Sequence, residues 1–484
     1  MLSLNLIQLP HNLFIMKKYI TASAITVMVL LSSCKVSKDT ATPKDALPET
    51  YREVTSADTT SIGDVEWKSF FTEPSLQALI NNAVTKNNDL LVAQKNIEIA
   101  QLQFRQTKWN NIPNLNLQVG ATSTNPSANS LNGVSLSQFL GQNHIDDFTA
   151  SVGLSWEADI WGRIKNTKRS ALAQYLQTEE AKKALQTTIV ATVAKGFYNL
   201  LMLDAQLEIA KKNVELNERT LNIINLQFDA GQVTSLAKQQ AEAQRLVAAQ
   251  LVPQLEQNIG IQENALSILA GSFPQSVERK VVLNAIASGT NLQGGVPSSL
   301  VSRRPDVKGA EFALMEANAN TGIAKAGLYP SLNITATGGV NAFEASKWFN
   351  IPASLFGIVA GSVAQPLLNA KRLRTNYEIA KVQREKTVIN FRQQVLIAVS
   401  EVSNSLIQIE KLESSYTIAA SRVKTLQTAV GNADMLFQNG MANYLEVITA
   451  QGNLLQSELE LVSQKKSRLE ADVELYRSLG GGWR

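Results

Sequence analysis

The stretch Phe437–Gln451, FQNGMANYLEVITAQ, is a brief interruption in a breaker-poor run. From Lys371 to Leu479 there is no proline, and Gly431, Gly440 and Gly452 are the only glycines. Apolar residues recur at helical spacing on both sides of the interruption. Gly440 is suited to the left-handed residue that ends one helix and turns the chain into the next. The stretch therefore reads as the tip of a long antiparallel helical hairpin.

The same tip occurs earlier in the chain. Phe228-Asp229-Ala230-Gly231 matches Phe437-Gln438-Asn439-Gly440, and Leu236 matches Leu445, both at an offset of 209 (440 − 231). Arg163 and Arg372, where the long helical runs begin, keep that offset (372 − 163). Upstream the offset is 217: Pro113-Asn114-Leu115 aligns with Pro330-Ser331-Leu332 (330 − 113), and Asn88-Asp89-Leu90 with Pro305-Asp306-Val307. The difference of eight residues falls in a loop, where insertions are tolerated. Two constant offsets with one order of elements indicate an internal duplication.

Each repeat holds a helix, two alternating segments and a long hairpin. Leu115, Leu117, Val119 and Ala121 alternate with Asn114, Asn116, Gln118 and Gly120, and Phe148, Ala150, Val152, Leu154 and Trp156 alternate with polar residues. Two such runs joined by a Ser/Asn/Gly-rich loop fit either a membrane hairpin or a half-buried soluble one. The expected organisation is a first repeat over 66–275, with strands at about 114–124 and 147–157 and a hairpin at 163–270. A linker follows over 276–300, then a second repeat over 301–484, with strands at about 331–340 and 355–365 and a hairpin at 371–479.

The first 33 residues read as a signal peptide: basic Lys17-Lys18, apolar Ile20–Leu31, then Leu31-Ser32-Ser33-Cys34. Met16-Lys17-Lys18 is the more conventional start. Leu-Ser-Ser-Cys resembles a bacterial lipobox, whose cleavage would leave Cys34 as a lipidated first residue. Residues 34–65, polar and proline-containing, then read as a tether.

Composition closes off other classes. The chain is 44% hydrophobic but only 6% aromatic, which suits long helices. One cysteine and two histidines offer no disulfide framework and no metal centre. A net charge of +4 is too weak to indicate nucleic acid. There is no phosphate-binding loop, paired-histidine motif or nucleophile with a neighbouring base motif, so no enzyme activity or cofactor is expected. After residue 34 no apolar run reaches about 18 residues, so a membrane crossing needs a β-barrel. Four strands cannot close one, but three copies supply 3 × 4 = 12.

The chain resembles the TolC-type outer membrane efflux proteins, in particular the lipid-anchored (NodT-like) factors paired with resistance–nodulation–division pumps. The residues that carry the resemblance are Trp67-Lys68-Ser69-Phe70-Phe71 with Pro74, Ser155–Arg163 (SWEADIWGR), Glu263–Leu266 (ENAL), Arg303–Val307 (RRPDV), Tyr444–Val447 (YLEV) and Leu479–Trp483 (LGGGW). The resemblance implies an α+β membrane protein: a homotrimer with a 12-stranded outer-membrane barrel and a periplasmic helical tunnel. Its partners would be outer-membrane lipid, a periplasmic adaptor and an inner-membrane pump.

The resemblance also places a gate at the tip. Leu445 would form an apolar ring, Glu446 an acidic one, and Thr449 stands where related tunnels often carry aspartate. Adaptor docking is expected at the two turns, through Gly231, Val233, Gly440, Met441 and Ala442, the last two and Val233 being read as exposed loop residues. Arg163 and the equivalent Arg372 are expected either to meet headgroups or acids such as Asp159, or to be solvated surface arginines, and Gly480-Gly481-Gly482-Trp483 to be a flexible terminal segment. The alternatives are an outer-membrane factor of type I protein secretion and a lipid-anchored periplasmic scaffold without a pore.

Overall fold

The structure, a computed structural model, describes residues 39–43, 48, 50–51, 61–289, 295 and 297–484. Cys34, the signal segment and much of the polar stretch and linker lie outside these residues. The elements are α1 (Trp67–Phe70), α2 (Pro74–Lys86), α3 (Asn88–Thr107), β1 (Asn114–Thr124), α4 (Leu131–Leu140), β2 (Ile145–Ala158), α5 (Arg163–Asp229) and α6 (Ser235–Leu269). They continue with α7 (Leu300–Arg303), α8 (Pro305–Ala326), β3 (Ser331–Ala342), β4 (Leu355–Ala364), α9 (Arg372–Gln438) and α10 (Tyr444–Ser478). Among the described residues no helix is long and apolar enough to cross a membrane.

The chain divides into two compact units. One comprises residues 1–42, 101–173 and 314–387. It carries an antiparallel sheet in the order β1-β2-β3-β4. Directly paired residues share a face, so the register sorts the side chains. Leu117, Val152 and Gly338 stand in one row with Gly357, and Leu115, Leu154, Ala336 and Val359 in another. These rows build one continuous apolar face. Asn116, Gly153, Thr337 and Ile358 belong to the opposite face, which is mostly polar on β1, β2 and β3, with Ile145 at the start of β2 an exception, and carries Phe356, Ile358, Ala360 and Ala364 on β4. Much of the apolar face is uncovered in the single chain, with Leu117 75% exposed and Val359 81%, while Val340 is buried and Phe148 packs against Trp348. Both edge strands, β1 and β4, present unpaired backbone groups.

The duplication is visible in hydrogen bonds. Trp156 Nε1 donates to the Asn111 carbonyl at 3.1 Å, and its counterpart at the 209 offset, Gln365 Nε2, donates to the Leu328 carbonyl at 3.2 Å. Gly162 (φ 77°) and Lys371 (φ 60°) occupy the same left-handed position ahead of the long helices. Arg163 pairs with Glu157 at 2.5 Å rather than with Asp159. Asp159 instead accepts from the Ile164 and Lys165 amides at 2.9 and 2.8 Å, capping α5.

Two features depart from the sequence reading. The strand loop contains α4, capped by Ser130 Oγ accepting from the Gly133 amide at 3.1 Å. The terminal glycines are not a flexible end: Gly480, Gly481 and Gly482 are all buried. Gly480 (φ 87°) is the left-handed residue that ends α10, with Gly480 N donating to the Arg477 carbonyl and Gly481 N to the Tyr476 carbonyl. The same pair of bonds recurs 209 residues earlier, from Gly271 to Ile268 and from Ser272 to Ser267.

The second unit comprises residues 43–100, 174–313 and 388–484. Its largest core gathers Trp67, Phe71, Leu76 and Ile80 against Val190, Phe197, Leu469 and Tyr476. Full burial of each large apolar side chain contributes roughly 1.5–3 kcal/mol. A second core holds Tyr51, Leu300, Val307, Phe391 and Leu475, so the polar N-terminal stretch is pinned at Tyr51, which is 2% exposed. Beside it Arg304, 4% exposed, is enclosed by carboxylates. It forms a two-pronged pair with Asp306 at 3.0 and 2.6 Å, a bond to Glu401 at 2.7 Å and a bond to the Ser478 carbonyl at 3.0 Å.

Candidate functional site at the hairpin tips

The helices of the two hairpins match in length, 67 and 35 residues in each. Their turns match bond for bond. The Gly231 and Gly440 amides donate to the Phe228 and Phe437 carbonyls at 2.8 and 3.1 Å. The Gln232 and Met441 amides donate to the Gln227 and Leu436 carbonyls, both at 2.8 Å. Both glycines have positive φ, 73° and 70°. The next helices start under matched caps, Thr234 Oγ1 accepting from the Ala237 amide and Asn443 Oδ1 from the Leu445 and Glu446 amides.

Beneath the turns the two hairpins share a small core: Ile224, Ala237, Ala241, Phe437 and Val447. Val233 and Ala442 are half-buried and pack on that core, whereas Met441 is 70% exposed. The sequence expectation that all three are exposed loop residues is therefore corrected: the two smaller side chains close the tip core, and Met441 is the one that projects.

Helical geometry separates the residues of α10 by face. Val447 and Gln451 point into the protein, 1% and 0% exposed. Leu445 is 56% exposed, and Glu446 and Thr449 are also exposed. Leu445, Ile448, Thr449, Gly452 and Asn453 line a groove of 450 Å3 with Gln240, Ala243, Gln244 and Val247 of α6. At its mouth the Tyr444 hydroxyl hydrogen-bonds to Gln240 Oε1. Glu446 stands in the first turn of α10, where the helix dipole favours an acid.

Behind the groove is a polar cluster that the sequence did not disclose. Gln451 Nε2 donates to Thr220 Oγ1 at 3.0 Å and to Asp434 Oδ1 at 3.4 Å. Burial pushes the Asp434 carboxyl above its ordinary value, partly opposed by Gln451 and Arg219. The only sequence signal was a glutamine four residues after Val447, on the apolar side of the helix. Among the described residues no group of three His, Cys, Asp or Glu side chains is placed to hold a metal ion.

The sheet, the duplicated hairpins and the matched tips meet their counterpart in a known family. The profile of the outer membrane efflux proteins matches residues 79–272 and 296–481. The chain belongs to the outer membrane efflux protein family. It is 27% identical over 461 residues to the cation efflux system protein CusC of Escherichia coli, covering 94% of this chain and 98% of that protein. It is 25% identical to the probable outer membrane lipoprotein SilC of Salmonella typhimurium, covering 95% and 98%. Among solved structures, CusC superimposes with a TM-score of 0.82 at 26% identity, covering 93% of this chain and all of that one. The open-state MtrE outer membrane channel of Neisseria gonorrhoeae gives 0.82 at 25%, covering 93% and 99%.

As an outer membrane efflux protein, this chain supplies four strands to a trimeric 12-stranded outer-membrane barrel and its long hairpins to a helical tunnel. The apolar face of the sheet is then the lipid face and the polar face lines the lumen. The chain is the outer-membrane duct of an efflux system, which removes the pore-free scaffold reading.

Proposed function

We propose that the trimer is a passive exit duct for small molecules, shut at the hairpin tips and opened when a periplasmic adaptor and an inner-membrane pump engage it. The observation that carries this reading is the exposed set Leu445, Glu446 and Thr449, placed directly after a capped turn, which a trimer would repeat three times about its axis. Leu445 supplies an apolar constriction that resists wetting, and Glu446 an acidic ring that favours cations and repels anions. Thr449, uncharged, adds no second acidic ring. Of the relatives, CusC is named for cation efflux and SilC as a probable outer membrane lipoprotein. Cargo choice belongs to the pump, because the duct only conducts.

Docking is assigned to the two turns. Gly231 and Gly440 leave the backbone bare, with no atom within 4 Å of a Cβ added at either position. Met441 offers a projecting apolar side chain, while Val233 and Ala442 hold the turns in shape. In cells, Leu445→Ala or Glu446→Ala should increase entry of a large dye that the outer membrane normally excludes. Gly440→Trp should reduce adaptor cross-linking while leaving the dye excluded. Dye entry unchanged by both gate substitutions contradicts the gate, and undiminished adaptor cross-linking contradicts docking at this turn.

The lipid anchor is assigned to Cys34, since several acyl chains, at roughly 0.8 kcal/mol per buried methylene, hold a protein firmly in a leaflet. Labelled palmitate should enter the wild-type protein and not Cys34→Ala. Equal labelling of both contradicts lipidation at that residue.

A further inference from the structure

Two apolar clusters stand uncovered at one end of the sheet, one beside each edge strand. Leu367 and Leu368 follow β4 and are 88% and 98% exposed; Trp109 and Ile112 precede β1 and are 68% and 49% exposed. The register places them at the same end: Asn114 opens β1 opposite Ser155, Ala158 at the end of β2 pairs with Leu332, and Ser331 pairs with Ala364, which ends β4. When three copies close the barrel, β4 of one copy runs antiparallel to β1 of the next. The two clusters then flank the same seam.

The duplication supplies a template for what happens there. The β2–β3 junction within a chain is the counterpart of the β4–β1 junction between chains. At the internal junction Trp161, just after β2, stacks on Tyr329, just before β3, with ring centroids 4.7 Å apart and an interplanar angle of 22°. Trp161 Nε1 also donates to the Pro330 carbonyl at 2.7 Å. At the external junction Tyr329-Pro330 is replaced by Ile112-Pro113 (329 − 217), and Trp161 by Ala370 (161 + 209). Alanine is too short to cover the neighbour. Leu367 and Leu368 stand three and two residues before it, and Ala370 and Lys371, at φ 53° and 60°, hold this loop in a left-handed turn that non-glycine residues seldom adopt. Asp159, which caps α5 in the first repeat, corresponds to Leu368 (159 + 209), so a capping residue has been exchanged for an apolar one.

We infer that Leu367 and Leu368 of each protomer pack on Trp109 and Ile112 of the next, forming an apolar clasp at the end of every closing strand pair. The neighbouring protomer is favoured over membrane lipid because the counterpart junction within the chain is filled by its own side chains, Trp161 on Tyr329. The clasp rests on the trimeric barrel, and its test is arranged to separate the two.

The full-length protein carrying Trp109→Cys together with Leu368→Cys is oxidised in isolated outer membranes. Disulfide-linked dimers and trimers are expected on a non-reducing denaturing gel, and none from either single variant. A lysine-directed cross-linker on the same membranes reports whether trimers are present. Trimers without the disulfide ladder overturn the clasp alone; absence of trimers overturns the barrel and the clasp with it. A fluorophore on Leu368→Cys that is quenched by spin-labelled lipid also overturns the clasp, in favour of lipid. Should the paired cysteines disturb folding, Leu367→Ser with Leu368→Ser gives a second reading. It should lower the temperature at which the trimer dissociates while preserving helical circular dichroism, and an unchanged dissociation temperature overturns the inference.

Discussion

Arg304→Ala should lower the stability of the folded chain by about 3–5 kcal/mol, the cost of breaking a buried ion pair by removing one partner. The arginine is 4% exposed and its guanidinium is the hub of a chain of charges. Asp306 and Glu401 bind it directly; Glu401 continues to Arg477 at 3.1 Å, Arg477 to Glu474 and Glu474 to Lys195, both at 2.5 Å. Removing Arg304 leaves Asp306, whose other partners are Gln394 at 2.6 Å and the Val307 amide at 3.0 Å, with no cation at hydrogen-bond distance. Arg304→Lys should recover little, because an ammonium cannot replace the two-pronged pair. The measurement is thermal unfolding of the detergent-solubilised protein by circular dichroism, and a midpoint equal to wild type would count against the network.

The same network makes the protein acid-sensitive. Burial pushes the Asp306 carboxyl up, but the hydrogen bond and charge of Arg304, helped by Gln394 and the Val307 amide, outweigh it and the net shift is downward. Glu474 is likewise opposed by burial and lowered overall by Arg477 and Lys195. A carboxylate whose folded value lies below its unfolded one contributes stability above the unfolded value and loses it as the pH falls through the folded one. The contribution of this pair is therefore complete above the ordinary values of 3.8 and 4.5 and is lost below them. Asp472 works in the other direction. Burial raises its carboxyl in spite of Arg468, so its contribution to stability is present at low pH and is lost as the pH rises through the raised value. In Arg304→Ala the acid-dependent loss should shrink, because the arginine that lowers the Asp306 carboxyl is already gone.

Gly271→Ala should cost about 2–5 kcal/mol, a sum of two terms. A left-handed conformation, here φ 68°, penalises an L-residue by roughly 1–2 kcal/mol. An inserted Cβ would also lie 2.3 Å from the Lys86 carbonyl oxygen, and overpacking of that kind typically costs about 1–3 kcal/mol. Gly440→Ala separates the terms: it has φ 70° but nothing within 4 Å of the new Cβ, so only the conformational cost applies. Equal losses for the two variants would show that the contact with Lys86 is not tight. A Cβ added at Gly480, the counterpart of Gly271, would lie 3.0 Å from the Arg303 carbonyl oxygen, so Gly480→Ala should fall between them.

Most of the architecture could be read from residue order because its signals are local. Leu115, Leu117 and Val119 alternate cleanly since one sheet face meets lipid and the other water. Gly231 and Gly440 stand out because a left-handed helix end needs a residue without a side-chain penalty. The misses have equally physical causes. Leu131–Leu140 lies in a stretch rich in Ser, Asn and Gly that reads as loop, yet Ser130 caps it into a helix. Gly480–Gly482 has a composition that suggests flexibility, although Gly271 at the same repeat position already indicated a helix end. The burial of Arg304 depends on Glu401, 97 residues away, and no local pattern records such a partner. Within the tip, Val447 could be assigned to the core from spacing, but Gln451 and Asp434 come together only through the packing of α9, α10 and α5.

The most direct measurement is single-channel recording from the purified trimer in planar bilayers. The trimer should conduct as one pore that is nearly closed at rest, and Leu445→Ala and Glu446→Ala should each raise its conductance, the second also reducing cation preference. Three independent conducting units per trimer, or a conductance and selectivity indifferent to both substitutions, would contradict a single duct gated at the hairpin tips.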